Sequence, residues 1–421
     1  MNFRLHAVTV IGALFPLALA AQNKVLPIRA LSVPFESKET FLATPNVRHL
    51  PDGKVLIDDS RGKRLIVFDS TLATFTITAD SNSSNGVLYP SFFIRNALIP
   101  YLGDSTLFFD YPAKAILVIN PTGVIARTMA HPASGDLMNL SIPFPGNIGV
   151  DNLGRLIYRS SQRRPDPKPG EPPITASRDT IAIVRADFNT RLVDTIATFS
   201  IPRVPGTARG KDEKGKTTAT MHINPMLTSP DEWVITSDGT LAIVREHDYH
   251  IDYVNADGKQ WSTPKLPLEW IRMTDELKLA RIDSMKRVID SINTYGPVKF
   301  GTIYQSTRRP EGGTVRDTII PTITFVPLNE MPDYVTPIRR GSVSADTDGN
   351  VWIMPTTSAQ AGPGLLYDVI NRKGELFERV RLPAGCVLAG HGKGGIVYLA
   401  RNNPATKTWT LLRTRIIGPT P

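Results

Sequence analysis

The sequence predicts an all-β fold: about six blades, each a four-stranded antiparallel sheet, repeat along one chain with a single inserted helix. Three observations predict it. A strand–turn–strand unit recurs six times. A second turn follows most copies at a similar spacing. The chain also holds 35 prolines and 31 glycines without a collagen-like period, which points to many turns rather than long helices. A hydrophobic fraction of 41 % is enough for a large core.

The first unit runs from Val47-Arg48-His49-Leu50 through Pro51-Asp52-Gly53 into Val55-Leu56-Ile57, and a polar turn leads on to Arg64–Phe68. Asp-Gly between apolar runs marks a hairpin, because the turn needs a positive φ that glycine adopts at little cost. Further copies are Val234–Val244, turning at Asp238-Gly239, and Val343–Ile353, turning at Asp348-Gly349. Ile148–Tyr158 turns at Leu153-Gly154. Weaker copies are Leu98–Phe109 and Val387–Leu399, turning at Gly103-Asp104 and Gly394-Gly395. The second turn, between third and fourth strands, falls at Asn120–Gly123, Asp187–Thr190, Asn255–Gly258 and Asn371–Gly374. A unit therefore holds four strands over about 45–50 residues, the range of a propeller blade. The last unit has no fourth strand after Thr408–Ile417, and the early strand Leu26–Pro34 has no unit of its own. Leu26–Pro34 is expected to complete the last blade and close the ring, which removes exposed sheet edges.

Residues at about 160–180, 203–222 and 268–330 depart from the repeat and are expected to be inserts. Arg163–Asp179 is Pro-rich and predicts an extended loop. Pro205–Thr218 is polar, contains glycine and predicts a mobile loop. Within Thr274–Asn293, Leu277, Ala280, Ile282, Met285, Val288, Ile289 and Ile292 fall at helical spacing. Thr274 can cap that helix, Asp275 and Glu276 suit its first turn, and Gly296-Pro297 ends it. A surface helix on the rim is expected, with a lid over the channel as the alternative. Trp352 is expected to pack between blades, and Cys386, beside Val387 and Leu388, to be a buried apolar residue.

The repeated x-Asp-Gly-x-apolar-apolar unit, as in Ala345–Ile353 and Arg48–Ile57, resembles the NHL-type six-bladed propellers of bacteria. The resemblance covers nearly all of the chain after the N-terminal segment. It implies a fold, a single propeller over residues 21–421, and leaves function open among binding modules, lyases and lactonases.

Residues 1–20 read as a secretory signal peptide. Arg4 gives a basic start, Val8–Ala20 a largely apolar stretch, and Ala18-Leu19-Ala20 a small-x-small cleavage site that Ala21 can shift by one. No cysteine follows to take a lipid anchor, and no later stretch is long enough for a transmembrane helix. A soluble, monomeric protein of the periplasm or the outside is expected. The net charge of +9 is dispersed, with concentrations at Arg163–Lys168, Arg209–Lys216 and Arg308-Arg309 and no nucleic-acid motif beside them. The expected partner is a polar or anionic ligand or an envelope protein, with no specific nucleic-acid binding.

No catalytic set is legible. The sequence has no Gly-x-Ser-x-Gly elbow, no His-Glu-x-x-His and no phosphate-binding glycine loop. A triad assembled from distant residues stays open, since such groups meet only in space. His247 and His250 are spaced for opposite faces of a strand and make a poor chelating pair. Propeller enzymes of the lactonase kind hold a divalent cation in the channel on hard oxygen ligands, as suits Ca2+. Inner-strand positions offer Asn46, Asn147, Asp231 and Glu232 for this, a partial set beside Phe92-Phe93, Arg339-Arg340 and Gly385. The channel candidates for ligand binding are Asp231, Glu232, His222, Arg339 and Arg340. The preferred expectation is a binding scaffold. The alternative is a hydrolase or lyase using the central channel, with or without a bound divalent cation.

Overall fold

The computed structural model describes residues 26–80, 98–110, 113–132, 146–160, 178–202, 207–226, 229–308 and 314–419. Residues 1–20, expected as a signal peptide, Phe92-Phe93 and most of Arg163–Asp179 lie outside the described residues. The fold is all-β, built from four-stranded antiparallel sheets, and the one long helix described is Asp275–Tyr295.

The predicted units fold as up-and-down sheets. The first holds Asn46–His49, Val55–Asp59, Arg64–Phe68 and Phe75–Asp80. The second runs from Ile99-Pro100 to Ile125–Ala130, the third from Gly149-Val150 to Val193–Pro202 and the fourth from Glu232–Ile235 to Gln260–Ser262. The fifth runs from Val343–Ala345 to Leu376–Arg381. The sixth holds Cys386–Gly392, Ile396–Asn403 and Thr408–Pro419.

The turns form as their glycines require. Gly53, Gly239 and Gly349 take φ of 84°, 85° and 84°, and each donates its N–H to the carbonyl three residues back. That is a type I turn followed by a left-handed residue, a three-residue hairpin loop.

Second strands such as Val55–Asp59 are buried at every position, because both faces of each sheet are covered. Six hydrophobic clusters show what covers them. Leu56 and Leu65 of the first sheet pack on Phe108 of the second. Phe109 packs with Tyr158 of the third sheet, and Phe199 with Trp233 of the fourth. Tyr249 joins Val343 of the fifth sheet, and Trp352 joins Val397 of the sixth. Tyr398 of the sixth then packs with Ile57 and Phe68 of the first. The order of packing is therefore cyclic, and Trp352 lies between sheets as expected.

Closure differs from the expectation. Phe35–Phe41, not Leu26–Pro34, is the fourth strand of the last sheet, pairing antiparallel with Thr408–Pro419 (Phe41 opposite Trp409). Ile28–Leu31 instead runs parallel to Leu376–Arg381 and antiparallel to the end of the last strand, linking the fifth and sixth sheets into one nine-stranded sheet. Fourth strands are half exposed, so Phe35–Phe41 buries only Ser37 and Phe41 and carries a polar sequence that hides it. Ser37 Oγ accepts from Leu411 N at 3.1 Å, and Arg401 forms a bidentate pair with Glu36 at 3.0 and 2.7 Å.

The inserts also fold further than expected. Thr207–Lys211 and Thr217–Ile223 form a hairpin where a mobile loop was expected, and Thr322–Phe325 adds to it in parallel. Ile303–Arg308 and Thr314–Ile319 form a second hairpin. The helix starts on Thr274, whose hydroxyl accepts from Leu277 N, and ends at Gly296. Its Lys278 is buried and donates to Asp333 at 2.9 Å and to the carbonyls of Leu328 and Met331.

Candidate functional site

The innermost strands of all six sheets line one cavity of about 650 Å³. Asn46 and Arg48 come from the first sheet, and Tyr101 and Asp104 from the turn of the second. Asn147 comes from the third, Thr236 from the fourth, Ser344 from the fifth, and His391 and Lys393 from the sixth. Asn147 Nδ2 donates to the carbonyl of Val343 at 2.9 Å, so the third and fifth sheets come within one side chain of each other.

Ser344 and His391 form a pair in this cavity. Ser344 Oγ and His391 Nε2 are 3.1 Å apart. Burial pulls the imidazole down to about 4, and Asp346, two residues on from Ser344, acts in the opposite sense. The ring is therefore neutral at neutral pH. It is held against Trp352 at 4.8 Å between centroids, and Trp352 Nε1 donates to Asp346 Oδ2 at 2.9 Å.

Arg48 supplies a cation. Its Nε is buried without a hydrogen-bond partner, and among the described residues no ion pair joins it. Burial lowers its proton affinity, and the charge of Asp104 opposes that. Nearby, His49 Nδ1 lies 2.8 Å from Tyr398 Oη. Burial, then the charges of Arg413, Arg48 and Lys393, disfavour protonation of His49.

The five sequence candidates sit elsewhere. Asp231 is buried and fully engaged: Oδ2 accepts from Ser200 N and Arg245 Nη1, both at 2.9 Å, and Oδ1 from Glu246 N at 3.0 Å. Its geometry ties the third and fourth sheets together. Glu232 begins the inner strand of the fourth sheet and is 1 % exposed. Its Oε2 accepts from Gly146 N at 3.2 Å, and burial pushes it up to about 7 against the Gly146 and Gly341 N–H groups and the Arg340 charge. Arg339 and Arg340 are exposed in the loop before the fifth sheet. His222 is exposed on the inserted sheet, 2.8 Å from Thr324 Oγ1. Of the residues the sequence offers for the channel, Asn46 and Asn147 line the cavity, whereas Asp231, Glu232, Arg339, Arg340 and His222 are not among its lining residues.

Sequence reasoning passed over Arg48, Ser344 and His391 as channel residues, although a signal for the first two exists. Counting back five residues from the turn glycine lands on Arg48 and Ser344, where the third and fourth units have Gly149 and Val234. Counting back seven lands on Asn46, Asn147, Glu232 and Ser342. Two residues apart on a strand is the same side, so both tiers mark one face of the inner strands.

Of the oxygen groups lining the cavity, Asn46, Asn147, Asp104 and Asp346 are the side-chain amides and carboxylates. A channel calcium ion needs several converging hard oxygens. Asp346 already accepts from Asp348 N, Asn350 N, Asn350 Nδ2 and Trp352 Nε1. Among the described residues no three His, Cys, Asp or Glu side chains come together as a metal site. Also among them, no helix is long and apolar enough to cross a membrane.

No family model matches the chain, and no curated protein matches it. Similar solved structures include virginiamycin B lyase from Staphylococcus aureus, 11% identical, with 89% of this chain and 96% of that one covered and a TM-score of 0.37. A gluconolactonase from Xanthomonas campestris is 11% identical over 93% and 97%, with a TM-score of 0.37. A member of the DUF4221 family from Bacteroides vulgatus is 12% identical over 93% and 96%, with a TM-score of 0.34. All three scores are below 0.5, so the functional reading rests on the cavity residues.

Proposed function

We propose that the six sheets are the blades of a six-bladed β-propeller over residues 21–421, and that its central channel takes a small polar molecule and works on it by hydrolase- or lyase-type proton transfer. The cyclic packing of the sheets supports the ring. The observation that carries the function is the Ser344–His391 contact inside the cavity that all six inner strands line. A hydroxyl within reach of a neutral imidazole is the arrangement of a nucleophile and its base. His391 takes the proton from Ser344 in a hydrolase, or from the bound molecule in a lyase. The charge of Asp346 then favours the imidazolium that forms. The NHL-type assignment, export through a signal peptide at 1–20 to the periplasm or outside, and a monomeric state are part of the proposal. The Asp-Gly turns and the Val8–Ala20 stretch support the first two.

The test is turnover of a panel of esters, lactones and substrates prone to elimination, by wild type, Ser344→Ala and His391→Gln. A responding substrate should lose at least about a hundredfold in kcat/KM in both variants. Because His391 must be neutral, wild-type kcat/KM should fall as pH drops through about 4. The reading fails if the panel is untouched, or if both variants match wild type.

The second reading is a scaffold that presents its surface to an envelope protein. The insert favours it, since Tyr295, Tyr304 and Ile320 are 85, 63 and 62 % exposed there. Such a complex should be weakened by Tyr295→Ser and Tyr304→Ser and left intact by changes in the channel.

A further inference from the structure

We infer that Arg48 anchors an oxyanion group, a carboxylate or a phosphate, on the molecule that occupies the channel. The inference rests on the channel being the small-molecule site and names the chemistry of what enters it. A guanidinium carries five N–H donors in a planar fork. Buried polar groups are nearly always hydrogen-bonded, and a desolvated cation needs a partner. The Arg48 Nε is buried without a hydrogen bond, as are those of Arg29 and Arg185, but unlike those two Arg48 has no ion pair among the described residues. Its neighbours in structure do not supply the missing acceptor. Asp104 acts on it only through its charge, and among the described residues no carboxylate lies within ion-pair distance of it. Other cations reinforce the local field: Lys393 lines the same cavity, and Arg413 stands close enough with Lys393 to act on His49. The room is sufficient, since about 650 Å³ is a typical ligand pocket. A carboxylate or phosphate matches the fork with two parallel hydrogen bonds, which a lysine cannot reproduce.

A structural role for Arg48 would leave different traces. Arg64 and Arg155 show what such a role looks like here: Arg64 pairs with Asp59 at 2.8 Å, and Arg155 with Asp151 at 2.7 Å. Arg48 has no equivalent. It also occupies the repeat position where the third and fourth units carry glycine and valine, so the blade itself does not require a cation there.

The experiment is calorimetric titration of the full chain with inorganic phosphate and with malonate, at matched ionic strength and with chloride as the control. One saturable site should take at least one of the two, and which one binds separates the phosphate from the carboxylate source. Arg48→Lys should weaken binding about tenfold and Arg48→Gln about a hundredfold, the range for charge-assisted hydrogen bonds. A second measurement needs no variant. Butanedione modification of wild type, located by peptide mass, should be slowed at Arg48 by the bound anion and unchanged at the exposed Arg372. Binding of neither anion, unchanged binding by Arg48→Gln, or equal protection of both arginines would overturn the inference. If no anion binds while Ser344→Ala still abolishes turnover of a neutral ester, the oxyanion assignment falls and the channel reading stands. If turnover is also absent, both fall.

Discussion

Replacing Glu232 by glutamine should flatten part of the pH dependence of stability, and the structure sets the size of the effect. Glu232 is 1 % exposed, and burial raises it from 4.5 to about 7. Below about pH 4.5 the carboxyl is protonated in both folded and unfolded chains and has no differential effect. As pH rises the unfolded chain ionises first, while the folded one holds its proton until about 7. Folding stability therefore falls across that window and stays reduced above it. At about 1.4 kcal/mol per pH unit the loss is about 3 kcal/mol. Glutamine keeps the shape, can still accept from Gly146 N–H, and never ionises. Urea denaturation of wild type and Glu232→Gln at pH 5, 6, 7 and 8 isolates the effect. Taking the difference between the two proteins cancels the other titrating groups. These include Asp110, Asp368 and Glu378, which burial also raises, and His49 and His391, which act in the opposite direction. The variant should be within about 1 kcal/mol of wild type at pH 5 and about 3 kcal/mol more stable at pH 8. A difference that stays flat from pH 5 to 8 would refute the buried, proton-holding carboxyl.

Two further expectations concern what holds the ring together. Phe41 is 1 % exposed in the closing strand, among Ile57, Phe68 and Tyr398, so Phe41→Ala should cost about 3–5 kcal/mol in urea denaturation. Phe35, half exposed on the same strand, should cost under about 1 kcal/mol on the same change, and equal losses would contradict the assignment of that strand. Asp231→Ala strands two backbone N–H groups and weakens the hold on Arg245, which keeps Asp252 at 2.6 Å, and should cost about 3 kcal/mol. Anion binding to the folded variant should stay within about twofold of wild type, and a selective loss of binding without loss of stability would return Asp231 to the site.

Much of the architecture could be read in advance, because it depends on local signals. A glycine at positive φ between apolar strands is a local requirement, and all six first hairpins and the second turns form where those signals stand. The closing strand was misplaced because closure is not local. Phe35–Phe41 is defined by the strand it meets about 370 residues later, and its outer position permits a polar sequence. The hairpin at Thr207–Ile223 was missed because it is stabilised by Thr322–Phe325, about a hundred residues on. The cavity was half legible. Asn46 and Asn147 were visible as inner-strand polar groups and do line it. Ser344 could be placed on the channel face by its distance from the turn glycine, but His391 could not, and only the neighbouring placement of the fifth and sixth sheets brings the two to 3.1 Å.

Covalent labelling of the full chain with a fluorophosphonate, mapped by peptide mass, tests the central reading of the channel most directly. An activated hydroxyl reacts and an ordinary serine does not. The expected result is a single adduct on Ser344, lost in His391→Gln and slowed by a ligand that fills the channel. Labelling that misses Ser344, or that persists on it without His391, would contradict the hydrolase form of the account, in which Ser344 is the nucleophile and His391 its base.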